Sequence, residues 1–182
     1  MTFVDVESLR NSDDNQNGPN RLPERMNVSY RPLFAVFLLI FGTGLAKGRD
    51  LALVSNRSNN VNAVAFADLV KICKAQTNRL PDGKGLTLVM RSPSTPEMKL
   101  VLDKIYGMGG SDVNDLIATA NRGRSNHPAI MVVASDDDLI NTVASVPGAM
   151  GIVDVYSINS SVAVVKVAGK LPLEPGYLLH GN

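Results

Sequence analysis

Arg91-Ser92-Pro93-Ser94-Thr95-Pro96 is the stretch of this sequence best equipped for chemistry. A guanidinium presents its donors in a fixed fork that suits phosphate or carboxylate, and the hydroxyls of Ser92, Ser94 and Thr95 stand close behind it. Proline suits the first position of a helix and threonine the cap before it, so Pro96 and Thr95 predict a helix start here. Free backbone N–H groups and the positive end of the helix dipole would then face the same space. Those groups recognise a small oxyanion; they do not make or break bonds. The plainer use of the same residues is that Thr95 caps, Arg91 is solvated and nothing binds. Glu97 favours that version, because it already brings a negative charge to the first turn.

Three other sets of residues invite a function. Asp136-Asp137-Asp138 are oxygen donors, but calcium loops alternate their ligands around a glycine. Three consecutive aspartates behind Ser135 are better explained as compensation of a helix dipole, and no metal site is expected. Arg122, Arg124 and His127 make a small basic loop that could meet a phosphate or an acidic partner, although such loops are commonly just solvated. The lone Cys73 lies in an apolar helical stripe with no basic neighbour, which predicts a buried, inert thiol and no intrachain disulfide. Catalytic signatures are missing: there is no Gly-x-Ser-x-Gly elbow, phosphate-cradling Walker loop or His-Glu-x-x-His helix. An enzymatic role would require His127 to meet an Asp or Ser brought from elsewhere in the chain, and His180 sits near the C-terminus.

The elements that must position these residues alternate in type. Leu51–Ser55, Leu86–Met90, Ile130–Val133, Ala149–Val155 and Ser161–Val167 read as strands, the first two as continuous apolar runs suited to burial. Phe66, Leu69, Val70 and Cys73 share one face of a helix, as do Met98, Val101, Leu102 and Ile105. Ser111 is expected to cap a further helix carrying Val113, Leu116, Ile117 and Ala120, and Ser135 another that Pro147-Gly148 stops. Asn56–Asn62 and Leu80-Pro81-Asp82-Gly83 read as turns, and the Pro- and Gly-punctuated tail from Leu171 as a surface wrap. Strands alternating with helices predict an α/β domain.

Ahead of that domain, Leu33–Leu45 is an apolar run of 13 residues, whereas a membrane-spanning helix needs about 20. It has the length of a secretory core, with Gly44 and Ala46 at the −3 and −1 positions of a cut after Ala46. Residues 1–25 carry three Arg against five Asp and Glu, the wrong sign for the front of an export signal. Starting at Met26 leaves Arg31 and the amine as the only charges. The expectation is a disordered or untranslated extension over 1–25, a signal peptide over 26–46 and a working domain over 47–182, exported to the periplasm or secreted. The alternative is an uncleaved membrane anchor. The domain's 14 Lys and Arg nearly balance its 12 Asp and Glu. That balance, and the absence of a basic stripe, argue against nucleic acid.

Four short segments give the chain a family likeness. They are Phe66-Ala67-Asp68-Leu69, Leu80-Pro81-Asp82-Gly83-Lys84, Arg91 followed by Ser94-Thr95, and Pro147-Gly148-Ala149-Met150-Gly151. In this order and spacing, over about residues 51–155, they resemble the substrate-binding proteins of phosphate ABC transporters, the type II periplasmic binding proteins. Pro-Gly-Ala-Met-Gly is the most specific; the family leads from helix to strand with a similar segment that ends in an aromatic, where this chain has Ile152. The resemblance implies a single three-layer α/β domain equivalent to one lobe of a two-lobed protein. It further implies non-catalytic binding of a small oxyanion such as phosphate at Arg91, Ser92, Ser94 and Thr95, without a cofactor, and an accessory role beside an ABC permease or another envelope protein. Two departures stand out. The chain is about half the family's usual length, and the glycine of the family's Arg, Ser-Gly-Thr anion loop is absent, although glycine is what lets a backbone approach an oxyanion closely. Both favour an alternative, an interaction module that keeps the fold and has no ligand.

Overall fold

The computed structural model describes residues 49–181. The extension over 1–25 and the signal peptide over 26–46 lie outside the described residues.

Six strands form one mixed sheet in the order β2-β6-β1-β5-β3-β4. They are β1 (Leu51–Asn56), β2 (Ala63–Val64), β3 (Thr87–Arg91), β4 (Ile130–Val133), β5 (Ala149–Asp154) and β6 (Val162–Val167). β3, β4 and β5 run parallel, with Leu88 opposite Ile130 and Met150. β1 lies between β5 and β6 and is antiparallel to both. Every residue of β1 and the first four of β3 are buried. That is why these strands read as unbroken apolar runs: helices cover both faces, so no position needs to be polar.

One face carries α1 (Phe66–Cys73), α3 (Gly110–Ala120) and a run between them over 96–106. Leu69, Ile72, Cys73, Met98, Val101, Ile105, Tyr106 and Val113 pack there on Leu53, Leu88, Met90 and Ile152. The opposite face carries α4 (Asp136–Ser145), whose Leu139, Ile140 and Val143 pack on Val54, Val89 and Val153. The domain therefore has three layers and the α/β class expected from the alternation of elements. Gly151 is part of that packing, since a Cβ there would stand 2.7 Å from a Leu139 methyl.

Several local expectations need correction. No single α-helix starts at Pro96. A 3-10 turn (Pro96–Met98), one turn of α2 (Lys99–Val101) and a π-turn (Leu102–Tyr106) follow each other. Thr95 occupies the cap position, but its side chain makes no capping bond. Ser111 does not cap α3; Gly109 does, because Gly110 is pressed so close to the Pro93 carbonyl that a Cβ would lie 2.8 Å from that oxygen. Ser135 behaves as expected, accepting from the Asp138 N–H at 3.0 Å. The tail is more than a surface wrap: Tyr177 and Leu179 are buried, and the Leu179 carbonyl accepts from Leu51 N–H at 3.0 Å. Cys73 is fully buried, and burial pushes its thiol up to about 12.

Candidate functional site

Open α/β sheets place ligands beyond the carboxyl ends of their parallel strands, at crevices that the loops leave free. In this chain that end is formed by Arg91 at the close of β3, Asp154 at the close of β5 and the start of α4 after β4. Arg91 Nη1 donates to Asp136 Oδ1 at 2.9 Å, and Ser157 Oγ donates to the other Asp136 oxygen at 3.2 Å. Both members of the pair are largely shielded, so the contact is much less screened than a surface ion pair. Asp136 thus does more than oppose a helix dipole; it holds the guanidinium. Arg91 Nε is buried and has no hydrogen-bond partner.

Arg49 comes from the other side of the crevice. It stands 3.6 Å from Glu97 and 3.7 Å from Asp154. The Glu97 carboxyl is held below the usual range, first by its own backbone N–H, then by the charges of Arg91 and Arg49, against a desolvation that raises it. Two guanidiniums face three carboxylates, and the space that Arg49, Arg91, Glu97, Asp136 and Asp154 enclose with their apolar neighbours is about 10 Å³. That is room for no more than a single water molecule.

Ser92, Ser94 and Thr95 are brought beside Arg91, but their hydroxyls are already engaged. Ser92 and Ser94 hydroxyls share a hydrogen bond at 2.9 Å. Thr95 Oγ1 donates to the Ser92 carbonyl at 2.9 Å, and Thr95 N–H donates to the same oxygen at 3.0 Å. Pro93 and Pro96 contribute no N–H. The turn thus uses much of its own polarity internally, and Arg91 Nε is a buried side-chain donor at this end without an acceptor.

The amino end of the same strands is organised by residues that sequence reasoning read only as a turn. Asn59 is buried; its Nδ2 donates to Ser55 Oγ at 2.9 Å and to Ala149 O at 3.1 Å, and its Oδ1 accepts from Gly148 N–H at 2.9 Å. Asn56 Nδ2 donates to the Val143 and Ala144 carbonyls at the end of α4. The signal that could have found them is their place at and just beyond the end of a wholly buried strand, where polar side chains must have partners. His127 sits at this end as well. Thr87 Oγ1 donates to the Pro128 carbonyl at 2.9 Å and lies 3.2 Å from His127 Nδ1. Since the hydroxyl proton goes to Pro128, Nδ1–H is the donor to Thr87, and the imidazole does not activate that hydroxyl as a nucleophile. The Asp or Ser that an enzymatic role required of His127 is not its partner. Among the described residues no group of three or more His, Cys, Asp or Glu is placed to hold a metal, and no helix is long and apolar enough to cross a membrane.

No family model matches the sequence, and no curated protein matches it. The fold does match solved structures. An ABC-type phosphate transport receptor from Vibrio cholerae superposes with a TM-score of 0.59 at 18% identity, over 73% of this chain and 54% of that one. PstS from Borrelia burgdorferi gives 0.57 at 14%, over 75% and 56%. A phosphate binding protein from Stenotrophomonas maltophilia gives 0.51 at 14%, over 69% and 40%. The chain spans about half the length of the first of these, as a single lobe does. At these identities the likeness is one of fold, shared with about half of each of these phosphate-transport and phosphate-binding proteins.

Proposed function

We propose that the domain is a non-catalytic binding lobe, working outside the cytoplasm, that contacts a small oxyanion such as phosphate or sulfate through Arg91, Ser92, Ser94 and Thr95. The observation that carries this reading is Arg91 at the carboxyl end of β3 with one guanidinium donor on Asp136 and its Nε buried without an acceptor. An oxyanion arriving there gains a charge-assisted bond. It must also open the turn and share the guanidinium with Asp136, so a lone domain binds weakly unless a second wall, such as another chain or a permease, completes the crevice.

A second reading is favoured by the same end of the sheet. With Asp136 as a built-in counter-ion and a crevice of about 10 Å³, the lobe is already satisfied and serves as a ligand-free module docking on an envelope partner. Calorimetric titration of the full chain with phosphate and with sulfate separates the two. The oxyanion reading expects measurable heat, its loss in Arg91→Ala, and affinity at least about tenfold tighter in Asp136→Asn, which removes the competing carboxylate. Heat in none of the three proteins leaves the docking module.

A further inference from the structure

The basic loop has found a setting that the oxyanion reading does not use. Between the turn over 121–127 and the hairpin that pairs Arg79 with Gly85 lies an open cavity of about 550 Å³. Arg79, Arg124 and His127 line it, with the polar side chains of Asn78, Ser125 and Asn126, and no carboxylate among the lining residues. Arg79 Nη1 donates to the Gly83 carbonyl at 2.9 Å, which ties one corner of the guanidinium to the hairpin and leaves its Nε and Nη2 edge to meet a ligand. Arg124 has no ion-pair partner among the described residues, and neither has Arg79. The nearest opposite charge along this hairpin, Asp82, is held by Lys84 at 3.1 Å. His127 Nδ1–H is committed to Thr87, which fixes the ring and leaves Nε2 beside Gly85. A Cβ at position 85 would stand 3.1 Å from that nitrogen, so the absence of a side chain there lets the imidazole lie against the backbone without crowding.

We infer that this cavity is an anion site separate from Arg91, suited to a small polar organic molecule carrying a carboxylate or phosphate group. Two guanidiniums supply forked donors to the acid group. The volume is in the range of small-molecule sites and exceeds what a bare inorganic ion fills. The asparagine amides and the Ser125 hydroxyl are placed to meet hydroxyl or carbonyl groups on the remainder. This end of the sheet is the opposite one from Arg91, so the inference stands whether or not the oxyanion reading does.

The test is a two-dimensional NMR titration of the full chain with citrate, with glycerol 3-phosphate and with inorganic phosphate, following the His127 ring resonances and the Gly85, Gly123 and Ser125 amides. Saturable shifts at these positions with citrate or glycerol 3-phosphate, at a Kd of about 1 mM or tighter, are expected. They should weaken at least about tenfold in the Arg79→Ala/Arg124→Ala double variant and persist in Arg91→Ala. The two organic probes separate a carboxylate from a phosphate preference. No saturable shift with either probe overturns the inference, as do shifts unchanged in the double variant. Shifts as strong with inorganic phosphate as with both organic probes overturn the organic part of it. Gly85→Ala, which crowds the His127 ring and keeps both arginines, supplies a second variant and is expected to weaken binding less than the double variant does.

Discussion

The two ends of the parallel strands carry similar residue types and differ in what has been done with them. At the carboxyl end Arg49 and Arg91 are answered by Glu97, Asp136 and Asp154, and almost no space remains between them. At the amino end Arg79, Arg124 and His127 face an open cavity without a carboxylate in its lining. A charge is evidence of a ligand only after its partners are counted, and the arginine that looked most useful in the sequence is the better-partnered one. The ends also differ in how the backbone is held. Side-chain ion pairs fix the carboxyl end, whereas buried amides fix the amino end, with Asn59 bonded to Ser55 of β1 and to Gly148 and Ala149 at the start of β5.

The largest expected break in that arrangement is at Gly148. Its φ is +86°, and a Cβ would stand 1.9 Å from the Gly85 carbonyl oxygen, a backbone atom that cannot swing aside. Gly148→Ala therefore separates the two segments that start β3 and β5. A loss of about 3 kcal/mol or more is expected, seen in thermal melts as a fall of about 10 °C or an insoluble product. A melt within a degree or two of the parent means that the amino end is far looser than the geometry implies.

Next in size is Asn59→Ala, which strands the buried Gly148 N–H and the Ala149 carbonyl at once. A cost of about 2–3 kcal/mol in denaturant unfolding is expected. Because Gly85 shares this corner with His127, the variant also asks whether the cavity depends on the Asn59 network. Asn59→Asp keeps the acceptor for Gly148 N–H but loses both donor bonds and buries a charge, so it should do no better than alanine.

Much of this architecture was legible because burial writes itself into hydrophobic pattern. Leu51–Ser55 and Leu86–Met90 could be read as strands because helices cover both of their faces, and Phe66, Leu69 and Cys73 because an eight-residue helix repeats its buried side. Sheet order was not legible. Nothing in Leu51–Asn56 announces that it runs antiparallel between β5 and β6, since register is decided by contacts far away in sequence. The two-residue β2 is too short to carry a period. For the candidate site, the sequence offered Arg91 and its hydroxyls as candidates but not their partners. Asp136 is 45 residues away, and its approach to Arg91 depends on α4 lying across the sheet. Ser111 failed as a cap for a related reason: close packing of Gly110 on Pro93 outranked a hydroxyl's local preference.

The smallest effect concerns pH at the carboxyl end. Glu97 has a folded pKa below its ordinary value, chiefly through its own backbone N–H and with help from Arg91 and Arg49. A group depressed on folding adds stability above its unfolded pKa and loses that addition as pH falls through the folded one. Chemical denaturation of the parent should thus show stability declining as pH drops below about 4.3, the ordinary glutamate value. Glu97→Gln should flatten that limb slightly and leave stability at neutral pH almost unchanged, because the carboxylate is partly solvated and its distance to Arg49 is long. The amino end offers a matched control. His127→Gln should not alter the acid limb through Glu97, since the two residues lie at opposite ends of the strands. An identical flattening in both variants would mean that the acid limb reports a global change, not the local set of charges around Arg91.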